Sequence, residues 1–89
     1  MTLDTTDVAA QAEMVATVYK TLVNVGDVVQ PGQIIVILEV VKMEVAIKAN
    51  IGEARQVRAV LVQPGVVVQP GEKLVVLCPI KGSGAEYTS

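Results

Sequence analysis

The sequence predicts a small all-β domain, a sandwich or barrel built from two similar halves. The chain has 89 residues, enough for one domain, and 52% of them are hydrophobic, with no Phe or Trp. Such a composition, rich in β-branched residues, favours strands. One stretch of the chain repeats another. Pro-Gly pairs divide both copies into short apolar segments, a spacing typical of antiparallel strands.

The repeat relates residues 18–38 to residues 57–77 at a constant offset of 39, and eleven of the 21 positions are identical. Two copies are too few for a solenoid, which needs at least three. We therefore expect the two halves to pack face to face around a pseudo-two-fold axis.

Each copy carries the same turn signals. Pro31-Gly32 and Pro70-Gly71 lie at equivalent positions. Proline fixes φ at the first central position of a turn, and glycine accepts a positive φ at the second, so both pairs predict type II turns. None of the four prolines falls inside a predicted strand, as expected because proline cannot donate a hydrogen bond to a sheet.

The segment ILEVVKMEVAI, residues 37–47, must bend although it contains no Gly, Pro, Asn or Asp. By the offset, the strand that ends at Leu77 in the second copy ends at the equivalent leucine in the first. A single strand over residues 34–47 would span roughly 45 Å, which is too long for a domain of this size. We therefore predict a hairpin with Lys42 at its tip, and the absence of Asn-Gly argues against a tight type I′ turn there.

The predicted boundaries are a flexible tail at 1–11, a domain at 12–79 with halves 12–38 and 49–77 joined by the hairpin 39–45, and a flexible tail at 80–89.

The composition excludes several classes of function. The chain has no histidine, so it lacks the commonest general base and the commonest metal ligand. Its single cysteine, Cys78, can form neither an internal disulfide nor a metal site alone, and we expect a small apolar residue at the end of a strand. A net charge of −2 without a basic run argues against nucleic-acid binding. We predict neither a catalytic residue nor a metal ligand.

The N-terminal segment has acids where a signal peptide has positive charge, and no apolar run approaches the roughly 18 residues of a membrane span. The absence of a disulfide fits a reducing compartment. The sequence therefore predicts a soluble cytoplasmic protein with no membrane partner and no nucleic-acid partner.

Lys42 is the candidate functional residue. Val40, Val41 and Met43 bracket it, although a turn that only kept the chain soluble would be flanked by polar residues. A primary amine on a rigid hairpin is suited to acylation by a partner enzyme, because acylation removes the charge and leaves a long arm on a fixed base. The alternative is an ordinary surface lysine that is paired with Glu39 or Glu44.

The segment LEVVKMEV resembles the attachment segment of the biotinyl and lipoyl domains, whose usual biotin-bearing form is Glu-Ala-Met-Lys-Met. Glu39, Lys42 and Met43 match this form. Val40 stands where alanine is usual, and Val41 stands where methionine is usual.

The resemblance extends over residues 12–77 and includes the internal duplication. AEMVATV is similar to the Ala-Pro-x-x-Gly-Thr-Val opening of such domains, and VNVGDVVQPGQIIVILE is close to their first-half consensus. The chain departs from the family at Ala16 and Arg55, where Gly is usual, and at Glu13 and Asn50, where Pro is usual. It has no thumb-like insertion, so it resembles a stand-alone thumbless carrier.

The resemblance implies a flattened barrel, or sandwich, of two four-stranded antiparallel sheets with internal pseudo-two-fold symmetry. It also implies a biotin carboxyl carrier, in which a biotin protein ligase attaches biotin covalently to Lys42. A biotin carboxylase would then carboxylate the biotin, and a carboxyltransferase would pass the carboxyl group to an acceptor. The domain would be non-catalytic and a monomer in isolation. Glu39, Val41 and Met43 would flank the lysine as recognition residues.

Two other functions are compatible with this fold. A lipoyl carrier, or a protein that accepts both biotin and lipoate, would use the same lysine. A lipoyl site usually has Asp before the lysine and a small residue after it, and Val41 and Met43 fit neither position. The other function is that of an unmodified interaction domain, like the lipoyl-like modules of membrane-fusion adaptors, whose hairpins usually lack the lysine.

Overall fold

Every regular element that the structure describes is a β-strand. The structure, a computed structural model, describes residues 7–80. No helix long and apolar enough to cross a membrane is found among them. The strands in chain order are β1 (Val8–Gln11), β2 (Ala16–Thr21), β3 (Val28–Val29), β4 (Ile34–Val40), β5 (Met43–Lys48), β6 (Arg55–Val60), β7 (Val67–Val68) and β8 (Lys73–Cys78).

The strands form two four-stranded antiparallel sheets. One has the order β1-β8-β6-β3, and the other has the order β5-β4-β2-β7. This arrangement confirms the predicted pair of four-stranded sheets. Each of the two shortest strands pairs with a strand of the other half: β3 pairs with β6 of the second half, and β7 pairs with β2 of the first half. The two halves are therefore interlocked as well as stacked.

The repeat in the sequence relates the two sheets to each other. β2, β3 and β4 correspond to β6, β7 and β8 at the offset of 39, and their places in the sheets correspond as well. The loop contacts are also duplicated. The Gly26 N–H donates to the Val57 carbonyl at 2.9 Å, and the Gly65 N–H donates to the Val18 carbonyl at 2.8 Å. The predicted pseudo-two-fold symmetry is thus confirmed at the level of single hydrogen bonds.

Both predicted type II turns are present. Gly32 and Gly71 have φ values of 80° and 86°, in the region that this turn requires at its second central residue. The Gln33 N–H donates to the Gln30 carbonyl at 3.1 Å, and the equivalent bond in the second copy measures 3.0 Å. These turns immediately precede β4 and β8 and so determine where these two apolar strands begin.

The core lies between the sheets and consists of small branched side chains. Full burial of one such side chain contributes roughly 1.5–3 kcal/mol, so a core without large aromatic rings depends on the number of these residues. Both sheets supply the largest fully buried side chains, which are Ile35, Leu38, Leu74, Leu77, Val18, Val29, Val36, Val57, Val68 and Val75.

Strand β1 occupies residues that the sequence analysis assigned to a flexible tail. Residues 8–11 instead pair with β8, and Val8 lies opposite Leu77. This stretch is too short to show a clear alternation, and its partner lies at the other end of the chain, so no local pattern indicated a strand. The rest of the predicted N-terminal tail up to residue 6, and residues 81–89 of the predicted C-terminal tail, lie outside the described residues.

Two polar contacts are found at the end of the β1-β8-β6-β3 sheet. The Asp7 side chain is 1% exposed, and its Oδ2 lies 3.5 Å from Nη1 of Arg58. The Cys78 thiol donates to the Gln56 carbonyl at 3.5 Å. Cys78 is buried and is the last residue of β8, as the sequence predicted.

Candidate functional site

Lys42 lies at the tip of a two-residue hairpin turn. β4 and β5 are paired up to Val40, which lies opposite Met43, and only Val41 and Lys42 remain between the strands. Both central residues have a positive φ, 46° at Val41 and 67° at Lys42, as in a type I′ turn. The chain therefore reverses its direction at the lysine itself.

The expectation that this turn would not be tight is wrong. Type I′ turns favour Asn-Gly, and a positive φ costs other residues on the order of 1–3 kcal/mol. However, β4 is a central strand, paired with β2 as far as Glu39 and with β5 on its other side. The sheet thus fixes the register of the hairpin, and only two residues remain to close it.

The side chains at the tip face the solvent. Val41 is 87% exposed and Met43 is 65% exposed, and Lys42 is exposed as well. Within residues 7–80, the Lys42 amine makes no hydrogen bond, ion pair or ring contact. The amine is therefore accessible to a partner enzyme.

Glu39 and Glu44 face each other on the two strands below the tip. They form a directly opposed pair, and both are exposed. In the described part of the chain neither is bonded to Lys42, so the interpretation of this lysine as one half of a surface ion pair is not supported. Like charges in opposed positions destabilise a sheet by up to about 1 kcal/mol, a cost that solvent screening reduces. The pair places negative charge on the two strands that lead into the turn.

Buried residues below the turn support the hairpin. Leu38 is fully buried opposite Val45, and both Val40 and Val45 pack against the core. The backbone on each side of the turn is therefore anchored, whereas the lysine side chain is exposed. A reactive group is positioned better on such a base than on a loose loop.

The tip lies at the opposite end of the molecule from the ends of the described chain. β2 runs antiparallel to β4, so residues 22–27, which follow β2, lie at the end of the sheet away from Lys42. This segment is hydrogen-bonded to β6 next to Gln56, and Gln56 pairs with Cys78 at the end of β8. The lysine is therefore remote from the point where β8 leaves the sheet.

The structure brings the residues of the predicted site together. They all lie in the one hairpin: Glu39, Val41, Lys42 and Met43. Sequence reasoning missed Val67, which is 56% exposed and lies in one row across the sheet with Thr17 and Glu39. Val67 lies there because β7 pairs with β2 of the other half. The repeat was the only sequence feature that could have indicated this pairing.

Comparison with known families agrees with this geometry. Residues 5–77 match the biotin/lipoyl family, which is described as that of biotin-requiring enzymes. No curated protein matches the chain.

The solved structures that resemble the protein include two carboxylases. A single-chain, multi-domain long-chain acyl-CoA carboxylase has 29% sequence identity and a TM-score of 0.79, over 93% of this chain and 8% of that one. The urea carboxylase of Kluyveromyces lactis has 23% identity and a TM-score of 0.77, over 86% of this chain and 7% of that one. This second similarity shows a likeness of fold alone. The protein thus spans a small fraction of either enzyme. Because the family match extends over most of its length, the chain belongs to the biotin/lipoyl attachment domain family.

Proposed function

We propose that the protein is a biotin carboxyl carrier and that Lys42 is the residue that carries the biotin. The observation that supports this most directly is the exposed amine, without a bonding partner in residues 7–80, at the tip of an anchored hairpin. The family includes both biotin and lipoate attachment. The similar structure at 29% identity is that of a carboxylase, which favours biotin.

Attachment requires a partner enzyme, a biotin protein ligase that presents the carboxyl group of biotin as an acyl adenylate. The deprotonated Lys42 amine attacks the acyl carbon, an amide bond forms, and adenosine monophosphate leaves with the electron pair of the broken bond. The chain has no histidine, and we assign the base that accepts the amine proton to the ligase.

The chain contributes position to the carboxylation cycle. Bound biotin would supply a ureido nitrogen that accepts and releases a carboxyl group. The two reactions belong to partner active sites, those of a biotin carboxylase and a carboxyltransferase, and the carrier itself is non-catalytic. The anchored hairpin holds the lysine at a fixed place, and tethering keeps the carried group at an effective concentration of about millimolar at each partner site.

The residues beside the lysine are the ones that a partner would contact. Val41 and Met43 offer apolar surface at the tip, and Glu39 adds a charge beside it. We assign recognition by the ligase and the carboxylating partners to these three side chains. We further propose that the carrier acts as a monomer in the cytoplasm, since a reducing compartment suits the free thiol of Cys78.

Intact mass spectrometry tests the attachment. Protein produced with biotin and a biotin protein ligase should gain the mass of one biotinyl amide, and Lys42→Arg should abolish the gain. Lys48→Arg is the matched control, because Lys48 is also an exposed lysine of the same hairpin, and it should be modified like the wild type. A wild-type chain that a competent ligase leaves bare, or a modified Lys42→Arg variant, would contradict the proposal.

The same measurement separates the alternatives. A gain in mass with lipoate and a lipoyl ligase, but not with biotin, would identify a lipoyl carrier, and a gain with either group would identify a dual carrier. An unmodified interaction domain does not depend on the amine. A Lys42→Ala variant that retained every partner contact and its role in the cell would identify that class.

A further inference from the structure

A groove runs along the open edge of the sandwich, between β1 and β5. β1 is the outer strand of one sheet, and β5 is the outer strand of the other. Within residues 7–80 neither has a pairing partner on its outer side. The groove between them has a volume of about 410 Å³.

The groove is present because β1 carries a smaller inward side chain than β5. The pairing registers make Val8 the counterpart of Val45, and Ala10 the counterpart of Ile47. Ala10 and Ile47 both pack against the core, but the alanine leaves space that an isoleucine would fill. The open volume is therefore a departure from the two-fold symmetry of the core.

The side chains of the groove suit an elongated ligand with an apolar chain and a polar head. An alkyl chain can be buried against the apolar group, and a head with N–H and C=O groups can bond to the polar group. The apolar group is Met14, Val45, Ile47, Ile51 and Leu77, and the polar group is Gln11, Glu13, Lys48 and Asn50.

The groove begins close to the candidate attachment residue. Val45, which lines it, follows Lys42 along β5 at a distance of about 10 Å, given about 3.3 Å per residue. A lysine side chain joined to a valeryl chain extends further than this. Because the group would be tethered, its effective concentration at the groove is about millimolar, and a site with a dissociation constant in the same range would hold it for roughly half of the time.

We propose that this groove is a resting site for the acyl arm carried by Lys42, with the alkyl chain against Met14 and Val45 and the ureido head against the polar side chains. The proposal rests on the proposed function. The polar side chains favour the ureido ring of biotin, which donates and accepts hydrogen bonds, over the dithiolane ring of lipoate, which has neither N–H nor C=O. The docked arm is kept from the solvent, and release from the groove returns it to the tip.

Two-dimensional NMR of the unmodified and the biotinylated protein tests the docking. Biotinylation should shift the methyl signals of Met14, Val45 and Ile47 in addition to signals at the tip. Ala10→Ile should abolish the shifts in the groove, because it places in β1 the side chain that β5 has at the equivalent position. Ala54→Ile is the matched control, since Ala54 does not line the groove, and the shifts should persist in it.

The rate of capture by streptavidin gives a second readout. If the groove holds the arm for half of the time, Ala10→Ile should raise the rate about twofold, whereas Ala54→Ile should leave it unchanged. Groove signals that do not move on biotinylation, or that still move in Ala10→Ile, would overturn the proposal. Shifts that grow with protein concentration would also overturn it, because a second copy would then fill the groove.

Intact mass distinguishes a failure of this inference from a failure of the proposed function. A chain that remains unmodified overturns both. A chain with the added mass whose groove signals stay in place overturns the resting site alone.

Discussion

Val41 and Lys42 adopt a backbone conformation that their own side chains disfavour. A positive φ, here 46° and 67°, is uncommon outside Gly, Asn and Asp, and for a β-branched residue it is a genuine outlier. The pairing of β4 with both of its neighbours imposes this conformation on the turn. For this reason the repeat and the length of the segment were sufficient to locate a bend, whereas residue preferences predicted the wrong kind of turn.

Val41→Asn should stabilise the protein, because Asn adopts a positive φ at lower cost. We expect the free energy of unfolding, measured with urea, to increase by about 1 kcal/mol. Val25→Asn is the control. Val25 is an exposed valine in a turn, at 66% exposure, and it does not have a positive φ, so its replacement should give no gain. A Val41→Asn variant no more stable than the wild type would show that the turn is not strained at this position.

The turns are the elements that the sequence predicts best. At the Pro-Gly pairs, local chemistry and the observed structure agree, since proline and glycine each supply the φ that a type II turn needs. The short strands are the opposite case. β3 and β7 have two residues each, and β1 has four, so none of them carries a readable period, and all three pair with strands far away in the sequence. The groove was not predictable for the same reason. It depends on Ala10 facing the core, and β1 is too short for its inward-facing residues to be identified from the sequence.

Gly32→Ala and Gly71→Ala should destabilise the protein by similar amounts. A Cβ added at either position meets nothing within 4 Å, so the cost is purely conformational, about 1–2 kcal/mol. Gly52→Ala is the matched control. It also has open space around it but no positive φ, so urea unfolding should show no loss. A clear loss at only one of the two turns would contradict the equivalence of the two halves.

At the scale of the whole molecule, each half completes a sheet of the other half, because β3 pairs with β6 and β7 pairs with β2. If the chain is divided at the tip, residues 1–41 keep the β2-β4 pairing but lose the partners of β1 and β3. Residues 42–89 keep the β6-β8 pairing but lose the partners of β5 and β7. The candidate site was predictable at this scale, because a duplicated chain of this size must turn between its copies, and that turn projects from the fold.

Residues 1–41 and residues 42–89, produced separately, should each be unfolded and should fold together when they are mixed. Chains of about 40 residues rarely fold alone without a disulfide or a metal, and each fragment retains only one of its long-strand pairings. Circular dichroism and the dispersion of NMR signals measure the outcome against the intact protein. Cooperative unfolding of either fragment alone would show that strand exchange is not required for stability.

Val8 lies opposite Leu77, so the ends of the described chain lie side by side. A circular permutant could therefore run from Ser89 on into Met1 and open its new termini between Val41 and Lys42, with every strand pairing of the two sheets retained. The lysine would then begin the polypeptide with a new α-amine, and no turn would constrain its backbone. The rate at which a ligase acylates the Lys42 side-chain amine would be compared between the unpermuted and the permuted chain. The difference would separate the reactivity of this amine from the contribution of the hairpin that presents it.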